Sequence, residues 1–174
     1  MSRPVYFDTS VFLDIFAKTS PNKQGIFNLL TELQENKVTI YTSILTVEEA
    51  SVLTYRRGHI VHDNHALINK LARIWGIDRQ IALTTAKHEA ELRDLFKEKN
   101  DEAEMKQRRR WDCFHIATAQ VRECSHLYTT DPGMMKRKTQ LSIPDLQIVF
   151  PKPNRPTLNF EQQSLALVKP LQTS

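Results

Sequence analysis

The chain has 174 residues, 40% of them hydrophobic and 25% charged, with 24 Lys and Arg against 20 Asp and Glu for a net charge of +4. That length suits one domain with a buried core, and no apolar stretch approaches the roughly 18 to 20 residues a membrane helix needs. Asp8 and Asp14 interrupt the N-terminal segment too early for a signal peptide, so the expectation is a soluble, cytosolic chain whose charge permits a polyanionic partner without demanding one.

Val5-Tyr6-Phe7 reads as a strand stopped by Asp8-Thr9-Ser10, after which Val11, Phe12, Ile15 and Phe16 recur at helical spacing. Ser20-Pro21 is a cap followed by a first-turn proline, opening a helix whose inner face is Ile26, Leu29, Leu30 and Leu33. Val38 to Thr42 is β-branched and predicts the next strand; Leu45, Glu49 and Val52 then fall on a helix that ends near Arg56-Arg57-Gly58. Residues 62 to 75 read as a helix around Leu67, Leu71 and Ile74. Ile77 to Leu83 fits a short strand or an extended link into a helix from about Thr85 to Lys97.

Beyond a highly charged stretch from 97 to 110, an apolar helical face carries Phe114, Ile116, Ala117 and Val121. His126 to Thr130 predicts a strand ending at Asp131-Pro132-Gly133, and Leu146 to Phe150 a last strand. Strands separated by helices imply parallel β-α-β units in a three-layer α/β/α domain over residues 1–150, with a mostly parallel central sheet. Residues 151–174, carrying Pro151, Pro153, Pro156 and Pro170, read as a Pro-rich tail. Cys113 and Cys124, 11 positions apart in one expected helix, would stand roughly 16 Å from each other. That is too far for a disulfide and suits a reducing compartment.

Ligands of an open parallel sheet gather beyond the carboxyl ends of its strands. Asp8 follows the first strand and Asp131 the strand at 126–130, while Glu49 and Asp112 adjoin the same edge from two helices. Four carboxylates in one pocket cannot all stay ionised without a cation, and a hard divalent ion such as Mg²⁺ or Mn²⁺ takes such oxygen ligands. A site of that kind activates water and stabilises a phosphodiester undergoing in-line displacement.

Val5 to Leu13, Thr42 to Ala50, Asp112 to Ala119 and Tyr128 to Asp131 together resemble, in order, the four motifs of the PIN domain family, which includes the VapC-like ribonuclease toxins of type II toxin–antitoxin systems. The resemblance covers about residues 4 to 150. It implies a PIN-like three-layer fold and a metal site of Asp8, Glu49, Asp112 and Asp131, with Asp8 and Asp112 as direct ligands. Ser10 or Thr9 and Thr130 match the supporting hydroxyls. The pattern of Thr, two residues, then Glu selects Glu49 over Glu48. The implied activity is a Mg²⁺- or Mn²⁺-dependent endoribonuclease leaving 5′-phosphate and 3′-hydroxyl ends, with an RNA substrate, a homodimer and, for a toxin, an antitoxin partner that blocks the acidic pocket. The alternative is a non-catalytic PIN-fold module that binds RNA or protein. The charged stretch 97–110 and the tail match no shared family element.

Lys106, Arg108, Arg109 and Arg110 run up to Asp112 and are candidates for receiving RNA phosphates, whereas Lys136, Arg137 and Lys138 read as a solvated helix face. Trp111 reads more readily as a core aromatic than as a base-stacking surface, His115 as a hydrogen-bonded structural histidine and Asp14 as exposed. His59, His62 and His65 diverge on a helix and would not converge on one ion. There is no G-x-x-x-x-G-K or G-x-S-x-G segment among only four glycines, which argues against nucleotide cradling or a serine nucleophile.

Overall fold

Five short strands and seven helices alternate in the computed structural model, which describes residues 2–56, 61–95 and 103–152. In chain order they are β1 (Val5–Phe7), α1 (Thr9–Phe16), α2 (Lys23–Glu35), β2 (Ile40–Ser43), α3 (Ile44–Arg56), α4 (Val61–Leu71), β3 (Arg73–Trp75), α5 (Arg79–Leu95), α6 (Ala103–Val121), β4 (His126–Tyr128), α7 (Pro132–Gln140) and β5 (Gln147–Val149). The strands form one sheet of order β3-β2-β1-β4-β5, and every neighbouring pair is parallel. Val5 pairs with Ile40 on one side and His126 on the other, which puts β1 at the centre.

Alternation along β1 divides the core in two. Val5 and Phe7 face a cluster with Val11, Phe12 and Ile15 of α1, Ile26, Leu29, Leu30 and Leu33 of α2, Ala50 of α3 and Ile68 of α4. Tyr6 faces the opposite cluster with Leu92 of α5, Cys113, Ile116 and Ala119 of α6, Met134 of α7, Leu127 of β4 and Ile148 of β5. A strand buried on both faces keeps its apolar run unbroken, which is why Val5-Tyr6-Phe7 lacks polar alternation. The result is the three-layer α/β/α architecture, its sheet wholly rather than mostly parallel. No helix of the described residues is long and apolar enough to cross a membrane.

Several elements differ from the sequence expectation. The helix expected over 62–75 stops at Leu71, and Arg73–Trp75 becomes edge strand β3, pairing with Tyr41, Thr42 and Ser43. Ile74 still packs on the first cluster, so its helical spacing from Leu67 and Leu71 was coincidental. Within Ile77–Leu83 there is no strand: Asp78 Oδ1 accepts the Ile81 N–H at 2.9 Å and starts α5 at Arg79. Arg122 Nη2 pairs with Asp78 Oδ2 at 2.5 Å, and its guanidinium lies 3.6 Å from the Trp75 ring centroid, pinning the β3 edge.

Ser20-Pro21 forms a turn ahead of α2, which begins at Lys23; Ser20 Oγ accepts the Asn22 N–H and donates to Asp14. Asp14 also accepts from Asn22 Nδ2 at 2.9 Å, so it braces the α1–α2 link. Helix α7 contains the helix face expected at Lys136, Arg137 and Lys138, with bounds the sequence left open. Cys124 lies past the end of α6, and both cysteines are free and buried, their thiols pushed up to about 12 chiefly by burial.

Candidate active site

Because β1, β2 and β4 run the same way, Phe7, Ser43 and Tyr128 end on one edge of the sheet. A cleft of about 380 Å³ opens there, lined by Asp8, Thr9, Ser10 and Leu13 from β1 and α1, Glu48, Glu49 and Val52 from α3, Gln107, Trp111, Asp112 and His115 from α6, and Asp131 at the start of α7. All four sequence-singled acids border it.

Each acid is held by one oxygen. Asp8 is the N-cap of α1, yet its carboxylate makes no capping bond. Instead Oδ2 accepts from Ser10 Oγ and from Thr129 Oγ1, both at 2.8 Å. Those hydroxyls in turn accept the Thr130 and Asp131 N–H groups, so donors and acceptors balance. The hydroxyl that reaches Asp8 is thus that of fully buried Thr129, one position before the expected Thr130, whose contribution is its backbone N–H.

Glu49 Oε2 accepts from Thr9 Oγ1 and from His115 Nε2, the latter at 3.2 Å. Burial disfavours the charged form of Glu49, but the His115 and Thr9 bonds outweigh it and hold the carboxyl below its ordinary value. Glu48 also borders the cleft but is exposed. Asp131 Oδ1 accepts the Gly133 N–H at 2.7 Å, capping α7 with Pro132 in its first turn.

Asp112 Oδ2 accepts from Arg137 Nε at 2.9 Å. Burial pushes the Asp112 carboxyl up to about 6 against the pull of Arg137, with Asp8 and Asp131 adding repulsion. His115 is buried beneath the acids: Nδ1 lies 2.7 Å from the Tyr6 hydroxyl, and Nε2 is 3.7 Å from Asp8 Oδ1. Burial alone would favour neutral imidazole, yet Tyr6, Glu49 and Asp8 push its pKa well above the ordinary value. The hydrogen-bonded structural histidine expected from the sequence is present, with site acids as its partners.

The arginines that precede Asp112 stand elsewhere. Arg108, Arg109 and Arg110 do not border the cleft; Arg110 pairs with Glu89 of α5 at 3.2 Å. The side chain of Lys106 lies outside the described residues, as do His59, the His62 side chain and the tail beyond Lys152. His65 is exposed and 3.1 Å from Asn69 Nδ2. Sequence reasoning passed over Gln107, although Gln107, Trp111 and His115 follow helical i, i+4, i+8 spacing that fixes one face of α6. Half-buried Trp111 borders the cleft rather than the core. Arg137, read as part of a solvated face, is buried against Asp112, because the carboxylate that draws it inward lies 25 positions away.

Four carboxylates offer hard oxygen donors, and in each one oxygen receives no hydrogen bond from the described residues: Asp8 Oδ1, Glu49 Oε1, Asp112 Oδ1 and Asp131 Oδ2. That donor chemistry fits Mg²⁺ or Mn²⁺. Among the described residues no three His, Cys, Asp or Glu already stand grouped around one ion, so the fit rests on donor type and open oxygens.

An acidic cleft at the carboxyl edge of a wholly parallel three-layer sheet places the protein in a class of α/β folds with oxygen-rich sites. More particularly, the chain belongs to the PIN domain family, whose sequence model matches residues 5–140. It is similar in structure to VapBC2 from Rickettsia felis bound to a DNA fragment from their promoter, with TM-score 0.60 and 15% identity over 84% of this chain and 97% of that one. A toxin–antitoxin complex from Klebsiella pneumoniae matches with TM-score 0.53 and 21% identity over 84% and 97% of the two chains. Mycobacterium tuberculosis VapC20, a Sarcin-Ricin loop cleaving toxin, matches with TM-score 0.52 and 14% identity over 76% and 94%. At these identities the likeness is one of fold. No curated protein sequence matches the chain significantly.

Gly133 offers a way to move one acid alone. A Cβ added there would lie 3.1 Å from Asp131 Oδ1. Gly133→Ala favours the helix by roughly 0.5 to 1 kcal/mol but crowds the carboxylate. For the RNA cleavage proposed below, the expected outcome is an unchanged or higher melting temperature with activity lowered about tenfold from wild type; equal activity in the two proteins would show that Asp131 need not hold its place.

Proposed function

We propose that the protein is a Mg²⁺- or Mn²⁺-dependent endoribonuclease, acting in the cytosol as the toxin of a type II toxin–antitoxin pair. The observation that carries this is the convergence of Asp8, Glu49, Asp112 and Asp131 on one cleft, each tied by one oxygen while the other receives no hydrogen bond from the described residues. Membership in the PIN family and structural likeness to toxin–antitoxin complexes support the antitoxin partner, and a homodimer is proposed with it. Residues 1–150 are the catalytic domain, and 151–174 an appended tail.

Asp8 and Asp112 would hold the ion, with Glu49 and Asp131 completing or orienting its shell. A bound divalent ion supplies a nucleophilic water and charge stabilisation at the phosphate. The chain's own residues prepare the rest. Ser10 and Thr129 fix the Asp8 carboxylate, while Thr9 and His115 fix Glu49 beside it. Leu13, Val52 and Trp111 give the cleft an apolar wall where a base can lie. Arg108, Arg109 and Arg110 on α6 take RNA phosphates outside the cleft, with Lys106 of the same helix added to them, which makes binding salt-dependent.

The test is a panel of RNAs incubated with the full chain in Mn²⁺, in Mg²⁺ and in EDTA, with the ends of any products mapped. Cleavage in either metal, lost in EDTA and giving 5′-phosphates, is expected. Cleavage that persists in EDTA would end the metal reading, and RNA uptake in EDTA without cleavage in metal would show a binding module instead.

A further inference from the structure

Among the described residues Asp112 receives one side-chain hydrogen bond, and its donor is a charge, whereas the one reaching Asp131 comes from the neutral Gly133 N–H. Asp8 and Glu49 each receive two hydrogen bonds, but the one reaching Asp112 comes from Arg137 Nε at 2.9 Å. Arg137 is only 9% exposed, and Asp112 8%. A guanidinium withdrawn from water needs compensation on its other faces as well. Here Nη1 donates to Gln140 Oε1 at 2.6 Å, so two fixed partners define the plane of the fork.

The geometry assigns Arg137 a role beyond bulk neutralisation. It lies on α7, the helix whose N-cap is Asp131, so one element carries both a cleft acid and the cation that sets another. With Oδ2 engaged, Oδ1 is the oxygen of Asp112 left for a ligand. We propose that Arg137 is a positioning residue for the metal site: it presets Asp112 to offer one oxygen to a divalent cation before the ion arrives. Binding is stronger when the ion need not order its own ligands. This rests on the metal-site reading of the cleft.

Calorimetric titration of Mn²⁺ into the metal-free full chain tests it, comparing wild type with Arg137→Met, Arg137→Lys and Gln140→Leu. Melting in EDTA reports folding of each. The dissociation constant for Mn²⁺ is expected to rise at least about tenfold in Arg137→Met. Arg137→Lys keeps the charge but cannot span Asp112 and Gln140 in one plane, and recovers only part. Gln140→Leu leaves the ion pair unbraced and gives a smaller loss. In cleavage assays raised Mn²⁺ restores kcat while KM for RNA stays put.

Should Arg137→Met fail to fold, the other two variants decide. Wild-type Mn²⁺ affinity in folded Arg137→Lys and Gln140→Leu refutes the proposal, as does tighter binding in Arg137→Met, which would make the guanidinium a competitor of the ion. A raised KM for RNA with unaltered Mn²⁺ binding also refutes it and makes Arg137 a phosphate contact. No Mn²⁺ uptake by wild type removes the metal-site reading itself, and this proposal with it.

Discussion

Asp8→Asn is expected to lower RNA cleavage at least about 100-fold at saturating Mn²⁺ while leaving the fold intact. The substitution is nearly isosteric, and the amide oxygen can still accept from Ser10 and Thr129 where Oδ2 does now. The amide nitrogen then stands in place of Oδ1, and a donor cannot ligate a cation. One of four mutually repelling charges disappears, but so does the Asp8 charge 3.7 Å from His115 Nε2, so the melting temperature in EDTA should stay close to that of wild type. Asp112→Asn is the poorer probe, since it leaves buried Arg137 without its counter-charge. Single-turnover cleavage with matched melts measures the effect. A folded Asp8→Asn protein within about tenfold of wild type would remove Asp8 from the site.

The largest loss of stability is expected from Phe7→Ala. Phe7 is fully buried in the central strand, with its ring edge-on to Phe12 at 6.1 Å and to Tyr128 at 5.6 Å between centroids. Such truncations cost about 3 to 5 kcal/mol, and each aromatic contact adds about 0.5 to 1.5 kcal/mol beyond area. Domains have roughly 5 to 15 kcal/mol in all, so this one contact layer is a large share. Urea unfolding at 25 °C should show a much lower midpoint with an unchanged slope. A loss below about 1 kcal/mol would mean that Phe12, Phe16 and Tyr128 collapse into the space.

Elements that announce themselves through their own residues were readable. Val5-Tyr6-Phe7 is apolar because both faces of β1 are covered, and Ile26, Leu29, Leu30 and Leu33 mark one face of α2. What escaped was set by distant partners. Arg73-Ile74-Trp75 is a strand because Tyr41, Thr42 and Ser43 present an open edge, a fact stored in β2. Helix α7 buries only Met134 and Arg137, and a buried arginine carries no apolar signal, so its bounds stayed open. Asp8 and Asp131 follow β1 and β4 as expected, but Glu49 and Asp112, expected near helix starts, lie inside α3 and α6, and Asp112 is nine residues past the start of α6; all four border one cleft. The hydroxyl at Thr129 was missed by one position, because which of two adjacent threonines turns inward depends on the backbone at the end of β4.

The strand order carries a consequence for synthesis. Central β1 is made first, but its neighbours lie about 35 residues later in β2 and about 120 later in β4. The acids span the same interval, from Asp8 to Asp131, with Arg137 beyond the last. A nascent chain therefore lacks the assembled cleft until α7 has emerged and the sheet has closed across β1 and β4. The cleft is thus a property of the finished domain, and no N-terminal part of the chain that stops short of β4 holds all four acids.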